Sequence, residues 1–524
     1  MTAVKQGNLR ASRRRVLPTG KRLRQIGIYF VAAAMDRRLA DRMVLAFIGL
    51  HIVLWTVFFT IATAGQDPHG DSLEAYAWGR QLAFGYGKHP PLSGWVARLW
   101  FSIFPAANWA MYALAMALTG TAIWASWRLA LQVVERRRAI LVVLLLLIYP
   151  IFNIRGSSVT PDTLQTPLFV FAVLIFVVAF QHRGTLWSVL LGLVCASALL
   201  TKYWALLLVG AVGLAAIVDP NRRSFFRSRV PYVAAAVCLV ALGPHLIWLV
   251  NHNFAPIRYA GLYLTPRDIS PIVKGTGALR HHFGMLIPVL LVTLWGVTHP
   301  RVHVPADCPV TRPDAARQIW VIAASLVVVP PVLAVIFKVY FVTDWGTPLY
   351  SFVPLAILAI PKLGVPLRSL IWTAWAWLIF ALVAVAASPL VSFIEARSNP
   401  QKYVINGPAL AAEVTRLWHE RTQTALAIVA GPKPLVTAIS FYSPDHPQIF
   451  TGFEPLVSPW INPADLKRSG FVAICGTPLD WYCKARVNAL ALSFSTVNIA
   501  PAPDRRISLF YRESYTLFIA VPEK

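Results

Sequence analysis

The chain has 524 residues, of which 57% are hydrophobic and 13% charged, with a mean hydropathy of +0.59; several apolar runs are long enough to cross about 30 Å of hydrocarbon. That excludes a soluble globular class and predicts a polytopic α-helical membrane protein. The formal charge of +26 and pI near 10.4 raise nucleic acid as a partner. The basic residues fall on one predicted membrane face and carry no nucleic-acid motif, so topology and anionic lipid account for them and no nucleic acid is expected.

Residues 1–41 form a basic arm in which Ile26–Ala34, with Leu39, has the pattern of an interfacial helix. The apolar run Met43–Ala64 is too long for the core of a signal peptide and is preceded by about forty residues, so it is expected to stay as the first span. Eleven spans are predicted, near 42–64, 106–131, 139–152, 164–181, 186–201, 204–218, 230–250, 283–299, 319–340, 347–360 and 369–389. The fifth and sixth must share Thr185–Ile217 as two short helices or one broken hairpin. Alternate loops carry Arg136 to Arg138, Arg183, Arg222 to Arg229, Arg301 to Arg317, and Lys362 with Arg368, the asymmetry expected of cytoplasmic loops. With the N-terminus inside, an odd number of spans puts residues 390–524 outside, beside the polar loop 65–105.

That loop divides into two amphipathic segments, Leu73–Phe84 and Leu92–Phe104, separated by GYGKHPP, whose glycines and prolines forbid one continuous helix. Two juxtamembrane helices are expected. After the last span the rhythm becomes that of a small α/β domain, residues 390–524, with a helix near Pro408–Glu420. Strands are expected at Ala425–Ala430, Leu435–Tyr442, Phe471–Cys475, Ile507–Tyr511 and Thr516–Val521. Cys475 and Cys483 fall in this outer domain, where a disulfide and two separate thiols both remain open.

Polar side chains gather at the outer ends of different spans: Asp71, Glu74, Tyr76, Trp78, Lys88 and His89 from the first loop, Asn153, Arg155 and Asp162 after the third span, and Lys202 and Tyr203 between the fifth and sixth. Asn251, His252, Arg258, Tyr259, Arg267, Asp344 and Trp345 follow. Acids beside bases at a membrane face suit a reaction in which a hydroxyl loses a proton while an anionic group departs. Lysine and arginine suit the anion, and Trp and Tyr offer faces to a sugar or anchor helices at the headgroups. Asp162 has a second reading as a helix N-cap within TPDT, and Lys202 as a snorkelling lysine. His89 and His252 raise a two-histidine metal site, but no Cys and His cluster has zinc spacing, and no cofactor is firmly expected.

In combination and order, DSLEAYAWG, GYGKHPPLSGW, TPDTL at 160–164, LLTKYWALLL and HLIWLVNHNF resemble the GT-C type membrane glycosyltransferases related to protein O-mannosyltransferases and lipid A aminoarabinose transferases. The resemblance covers residues 40–270 well and the rest in outline. It implies a bacterial inner-membrane protein with a GT-C bundle over residues 42–389 and a periplasmic C-terminal domain. It also implies an inverting transferase that takes a sugar from a polyprenyl-phosphate donor to a hydroxyl on an envelope lipid, glycan or protein. The family's first-loop signature has adjacent Asp and Glu before Ala-Tyr, and here Leu73 stands in the Asp position. Glu74 matches the Glu, and Asp71, one helical turn upstream, is the candidate for the displaced acid; which of the two is the base stays open. Asp162 matches a second outer-face acid. Lys88 resembles the family's phosphate contact, with Lys202, Arg258 and Arg267 as further candidates. A polyprenyl-lipid or glycolipid flippase is the alternative function, and a non-catalytic scaffold a third.

Overall fold

The computed structural model describes residues 36–263, 270–298, 312–337, 343–361, 363, 367–399, 402, 405–476, 480–490, 493–501 and 514–522. Helix α1 (Arg37–Ala62) starts where the Asp36 carboxylate accepts the Leu39 amide at 2.8 Å, closing an N-terminal amide that the helix itself cannot satisfy. Its apolar run then continues unbroken. The first loop forms α2 (Gly70–Gly79) and α3 (Leu92–Phe101). The two expected juxtamembrane helices are present, but α2 ends five residues early, because the chain turns through Leu82 at φ +46° to reach the GYGKHPP turn. A methyl group on Gly79 would lie 2.7 Å from the Gly94 carbonyl oxygen, so α2 and α3 cross at that pair.

The bundle continues with α4 (Asn108–Val133), α5 (Arg136–Ile148), α6 (Pro161–His182), α7 (Thr185–Leu199), α8 (Leu206–Val218), α9 (Arg222–Arg227) and α10 (Val230–Asn251). It is completed by α11 (Ala255–Tyr263), α12 (Pro271–Thr298), α13 (Pro313–Ile336), α14 (Val353–Leu358) and α15 (Leu367–Ser398). Among the described residues six helices, α1, α4, α6, α10, α13 and α15, are long and apolar enough to cross a membrane. A seventh span results if α5 is joined to Pro150–Ser157 across a 68° bend. The expected spans at 186–201, 204–218 and 347–360 are shorter apolar helices. Helix α15 runs on to Ser398, past the expected end at 389.

Helix α5 is the centre of the bundle, with Ala139 to Leu147 all buried. Pro150 ends it, since proline cannot continue the ladder, and the freed Leu147 and Ile148 carbonyls accept the Asn153 side-chain amide at 3.2 and 3.4 Å. Asn153, gathered above with the polar site residues, therefore closes a bend. At the other end of the molecule Arg138 is buried and donates to the carbonyls of Leu358, Ile360 and Leu363 at 2.8–3.0 Å, satisfying the exit of α14. Counted with the loop cations in the sequence, Arg138 is instead a structural cap.

The C-terminal unit holds α16 (Gly407–Thr422), β1 (Ile428–Gly431), α17 (Lys433–Tyr442), β2 (Gln448–Thr451), α18 (Pro463–Ser469), β3 (Phe471–Gly476), α19 (Asp480–Ala489), β4 (Ser495–Ile499) and β5 (Tyr515–Ala520). The sheet order is β2-β1-β3-β5-β4, with β1 parallel to β2 and β3, and β5 antiparallel to β3 and β4. The expected strand Leu435–Tyr442 is a helix. An apolar run of eight residues does not by itself distinguish a buried strand from a buried helix; here Pro434 occupies the first turn, where its missing N–H is harmless, and Leu435, Val436 and Ile439 pack under the sheet. The strand expected at Ile507–Tyr511 lies outside the described residues, and β2 and β4 were not anticipated. Cys475 and Cys483 are bonded, with Cα atoms 6.1 Å apart, which resolves the open pair.

This unit sits on the first loop. Tyr76 packs edge-on against Phe441 at 4.9 Å and meets His446 Nδ1 at 3.1 Å, and Tyr442 donates to Asn108 Oδ1 at 2.8 Å. A Cβ on Gly87 would fall 2.2 Å from the Leu456 carbonyl oxygen; the GYGKHPP turn thus needs glycine where it passes under the unit.

Candidate active site

The N-terminal halves of α2 and α6 carry the acids, and the turn before α3 and the break after α7 carry bases. Glu74 sits in the middle of α2 with a side chain only 2% exposed, yet it is fully paired: Lys88 Nζ donates to Oε1 at 2.7 Å and Lys433 Nζ lies 2.8 Å from Oε2. Asp71, one turn earlier, meets Lys433 through Oδ1 at 2.5 Å, and its side chain remains 45% exposed. Burial is the largest influence on the Asp71 carboxyl and pushes it up, but the charge and hydrogen bond of Lys433, with His69 and His89 beside it, bring it below the usual carboxylate range. Asp71 is thus a reachable, ionised carboxylate.

Asp162 is not the N-cap of α6. Thr160 fills that role in a reciprocal capping pair with Thr163, and both oxygens of the Asp162 carboxylate accept from one lysine: Lys202 Nζ donates to Oδ1 and Oδ2 at 2.8 and 3.0 Å. Lys202 stands in the non-helical link between α7 and the short turn Tyr203–Ala205, fixed through its carbonyl by Gln165 Nε2 at 2.9 Å. Two largely buried side chains paired bidentately are not the geometry of snorkelling. The Lys202 ammonium also lies 4.9 Å from the centre of the Trp345 ring, and that of Lys88 5.5 Å from the Tyr259 ring, so each lysine has a cation–π face.

His89 joins the two ion-pair clusters. Burial, followed by the cations of Lys202, Lys88 and Lys433 and against the opposing pull of Asp71, pushes its imidazole down to about 3. It is neutral at physiological pH. Because its folded value lies below the ordinary 6.5, its contribution to stability is complete above 6.5 and drains away as pH falls toward 3. His89→Gln is expected to flatten the decline of unfolding temperature in that window. An unchanged slope would show the imidazole to be solvated and charged.

The remaining expected residues are placed differently. Tyr76 lies in the joint with the α/β unit. The Tyr203 hydroxyl meets His245 Nε2 at 2.9 Å, and His245 Nδ1 meets the Phe84 carbonyl at 2.7 Å, a brace between α10 and the first loop. His252 stacks on Trp248 with ring centres 4.1 Å apart and bonds its carbonyl at 2.8 Å. Asn251 and Arg258 are exposed, and Arg267 lies outside the described residues. Among the described residues no three His, Cys, Asp or Glu side chains converge as a metal site. Nothing in residue order points to Lys433, since GPKPL reads as an ordinary turn, or to Gln165 and His245, which act through a main-chain carbonyl and a neighbouring ring.

Residues 88–248, from the GYGKHPP turn to the last turns of α10, match the family described as dolichyl-phosphate-mannose-protein mannosyltransferase. The structure is similar to that of ArnT from Cupriavidus metallidurans bound to undecaprenyl phosphate, with a TM-score of 0.58 and 16% identity over 91% of this chain and 98% of that one. The apo state of the same protein gives 0.56 over the same shares. An oligosaccharyltransferase of Archaeoglobus fulgidus gives 0.44 at 10% identity, covering 87% of this chain and 69% of that one. No curated protein sequence matches the chain. The fold is accordingly similar to that of ArnT, a helical bundle carrying a further unit at one end.

Proposed function

We propose that this chain, with its ArnT-like GT-C fold, is an inverting glycosyltransferase that moves a sugar from a polyprenyl-phosphate donor to an acceptor hydroxyl at the periplasmic face of a bacterial inner membrane. The observation that carries the reading is the assembly of two acid–lysine clusters around the neutral His89 at one end of the bundle, with Asp71 alone among the three acids half exposed. Asp71 takes the acceptor's proton as its oxygen attacks C1. The C1–O bond to phosphate breaks on the opposite side, and the electron pair leaves with the polyprenyl phosphate. That oxygen gains charge, and Lys202 and Lys88 stand at the end of the bundle where an ammonium can meet it. Glu74 holds Lys88 and Lys433, and Asp162 holds Lys202. Both lysines are neutralised by acids, so the incoming phosphate competes with a carboxylate for each, a partner exchange that keeps two cations ordered without a ligand. Tyr259 and Trp345, already facing the lysines, supply rings beside the sugar.

In this reading the N-terminal arm is cytoplasmic, and eleven spans, counting the bent α5, the short helices α7, α8 and α14, and α12 as membrane elements with the six long helices, put the α/β unit in the periplasm. A flippase needs charges near mid-membrane, whereas these clusters lie at helix ends. The test is mass spectrometry of envelope lipids, glycans and proteins from cells with and without the gene, paired with transfer from defined undecaprenyl-phosphate sugars by protein in vesicles. A missing sugar mass and turnover with inversion at C1 are expected. Unchanged envelope chemistry together with transbilayer lipid movement would replace this reading with the flippase.

A further inference from the structure

Two carboxylates one turn apart on a helix repel each other, and keeping both ionised in a mostly buried site takes more than one cation. Lys88 reaches Glu74 but is not placed on Asp71. Lys433 reaches both, at 2.8 Å to Glu74 and 2.5 Å to Asp71, and it comes from 362 residues further along the chain, at the first turn of α17 in the α/β unit. The same helix seats that unit on the loop: Phe441 packs on Tyr76, and Tyr442 reaches Asn108. Docking and charge are therefore set by one ten-residue element.

We infer that Lys433 is a positioning residue for the transfer reaction: the α/β unit supplies the cation that clamps Asp71 to Glu74, so the proton acceptor is complete only when the unit is seated. The inference rests on the reading of Asp71 as base. Beside Lys433, the groups facing Asp71 are His69 through Nδ1 at 3.8 Å, His89 and Glu74, with Lys88 on the far side of Glu74. His89 is neutral, which leaves Lys433 as the principal charge on Asp71.

The experiment compares the full chain with Lys433→Ala, Lys433→Arg and Lys433→Met, reading transfer kinetics and thermal unfolding across pH; the Met variant keeps the aliphatic stem should the Ala variant fail to fold. Asp71 has its folded carboxyl below the unfolded value, so the stability it contributes is present above the unfolded value and lost as pH falls through the folded one. Without Lys433 the acid side of the unfolding curve flattens, the acid limb of kcat moves to higher pH, and kcat near neutrality falls by roughly tenfold with KM for the donor changed less than about twofold. Lys433→Arg restores the limb. A folded Lys433→Ala or Lys433→Met protein with the original acid limb and the original unfolding slope overturns the inference. If the unsubstituted protein transfers no sugar, the glycosyltransferase reading falls, while the unfolding slope still decides whether Lys433 clamps the acids.

Discussion

Asp71→Asn is expected to lower transfer by about 10²- to 10⁴-fold, the usual worth of a positioned general base, while changing stability by no more than about 1 kcal/mol, because a carboxylate 45% open to solvent forms a screened pair. Glu74→Gln is expected to do the reverse first. With its side chain 2% exposed and two lysine partners, loss of its charge leaves two poorly compensated ammonium groups in a buried site, a change that costs about 3–5 kcal/mol in comparable cases. The measurements are unfolding temperature in detergent and turnover by whatever fraction stays folded. Together they settle the question the sequence left open, since Leu73 removes the family's adjacent acid and leaves two carboxylates three positions apart. A stable but inactive Glu74→Gln protein, beside an Asp71→Asn protein with near-normal turnover, would transfer the base role to Glu74.

The parts of this site that were legible in the sequence share one property: their chemistry is carried by residues close to each other along the chain. Asp71, Glu74, Lys88 and His89 lie within a single loop, so their meeting follows from a helix, a glycine-proline turn and a second helix. Asp162 and Lys202 were legible as an acid and a base at the same end of the bundle, but their pairing depends on Thr160 taking the cap and on the break after α7, and neither alternative reading could be dismissed from residue order. Lys433 was invisible for a different reason. Its helix has the apolar pattern of a strand, and a strand beginning at Leu435 gives no reason to aim the preceding lysine at the membrane. The same limit hid Arg138, whose place in an arginine run matches a cytoplasmic loop and whose carbonyl partners belong to a turn more than two hundred residues later. Apolar periodicity located the helices well because each must satisfy its own backbone in lipid. It does not report length margins, and the shorter apolar helices α7, α8 and α14 are where the span count rests on charge parity.

Lys202→Met is expected to lower kcat by about 10²- to 10³-fold, the scale of losing a charge that stabilises a developing anion. The single substitution is ambiguous, because it also strands Asp162 in a site where that carboxylate takes two hydrogen bonds from one ammonium, and a buried acid without its partner destabilises by about 3–5 kcal/mol. Adding Asp162→Leu separates the two effects. If the pair served only to hold α6 against the link after α7, exchanging both partners for apolar groups of similar bulk would return stability and turnover together, as replaced buried ion pairs often do. If Lys202 meets the departing phosphate, the double variant recovers its unfolding temperature but not its turnover, and the coupling energy from the four-protein cycle is large for stability and small for kcat. Recovery of both would reduce the second cluster to a fastening and leave Lys88 as the remaining phosphate contact among the first-loop residues.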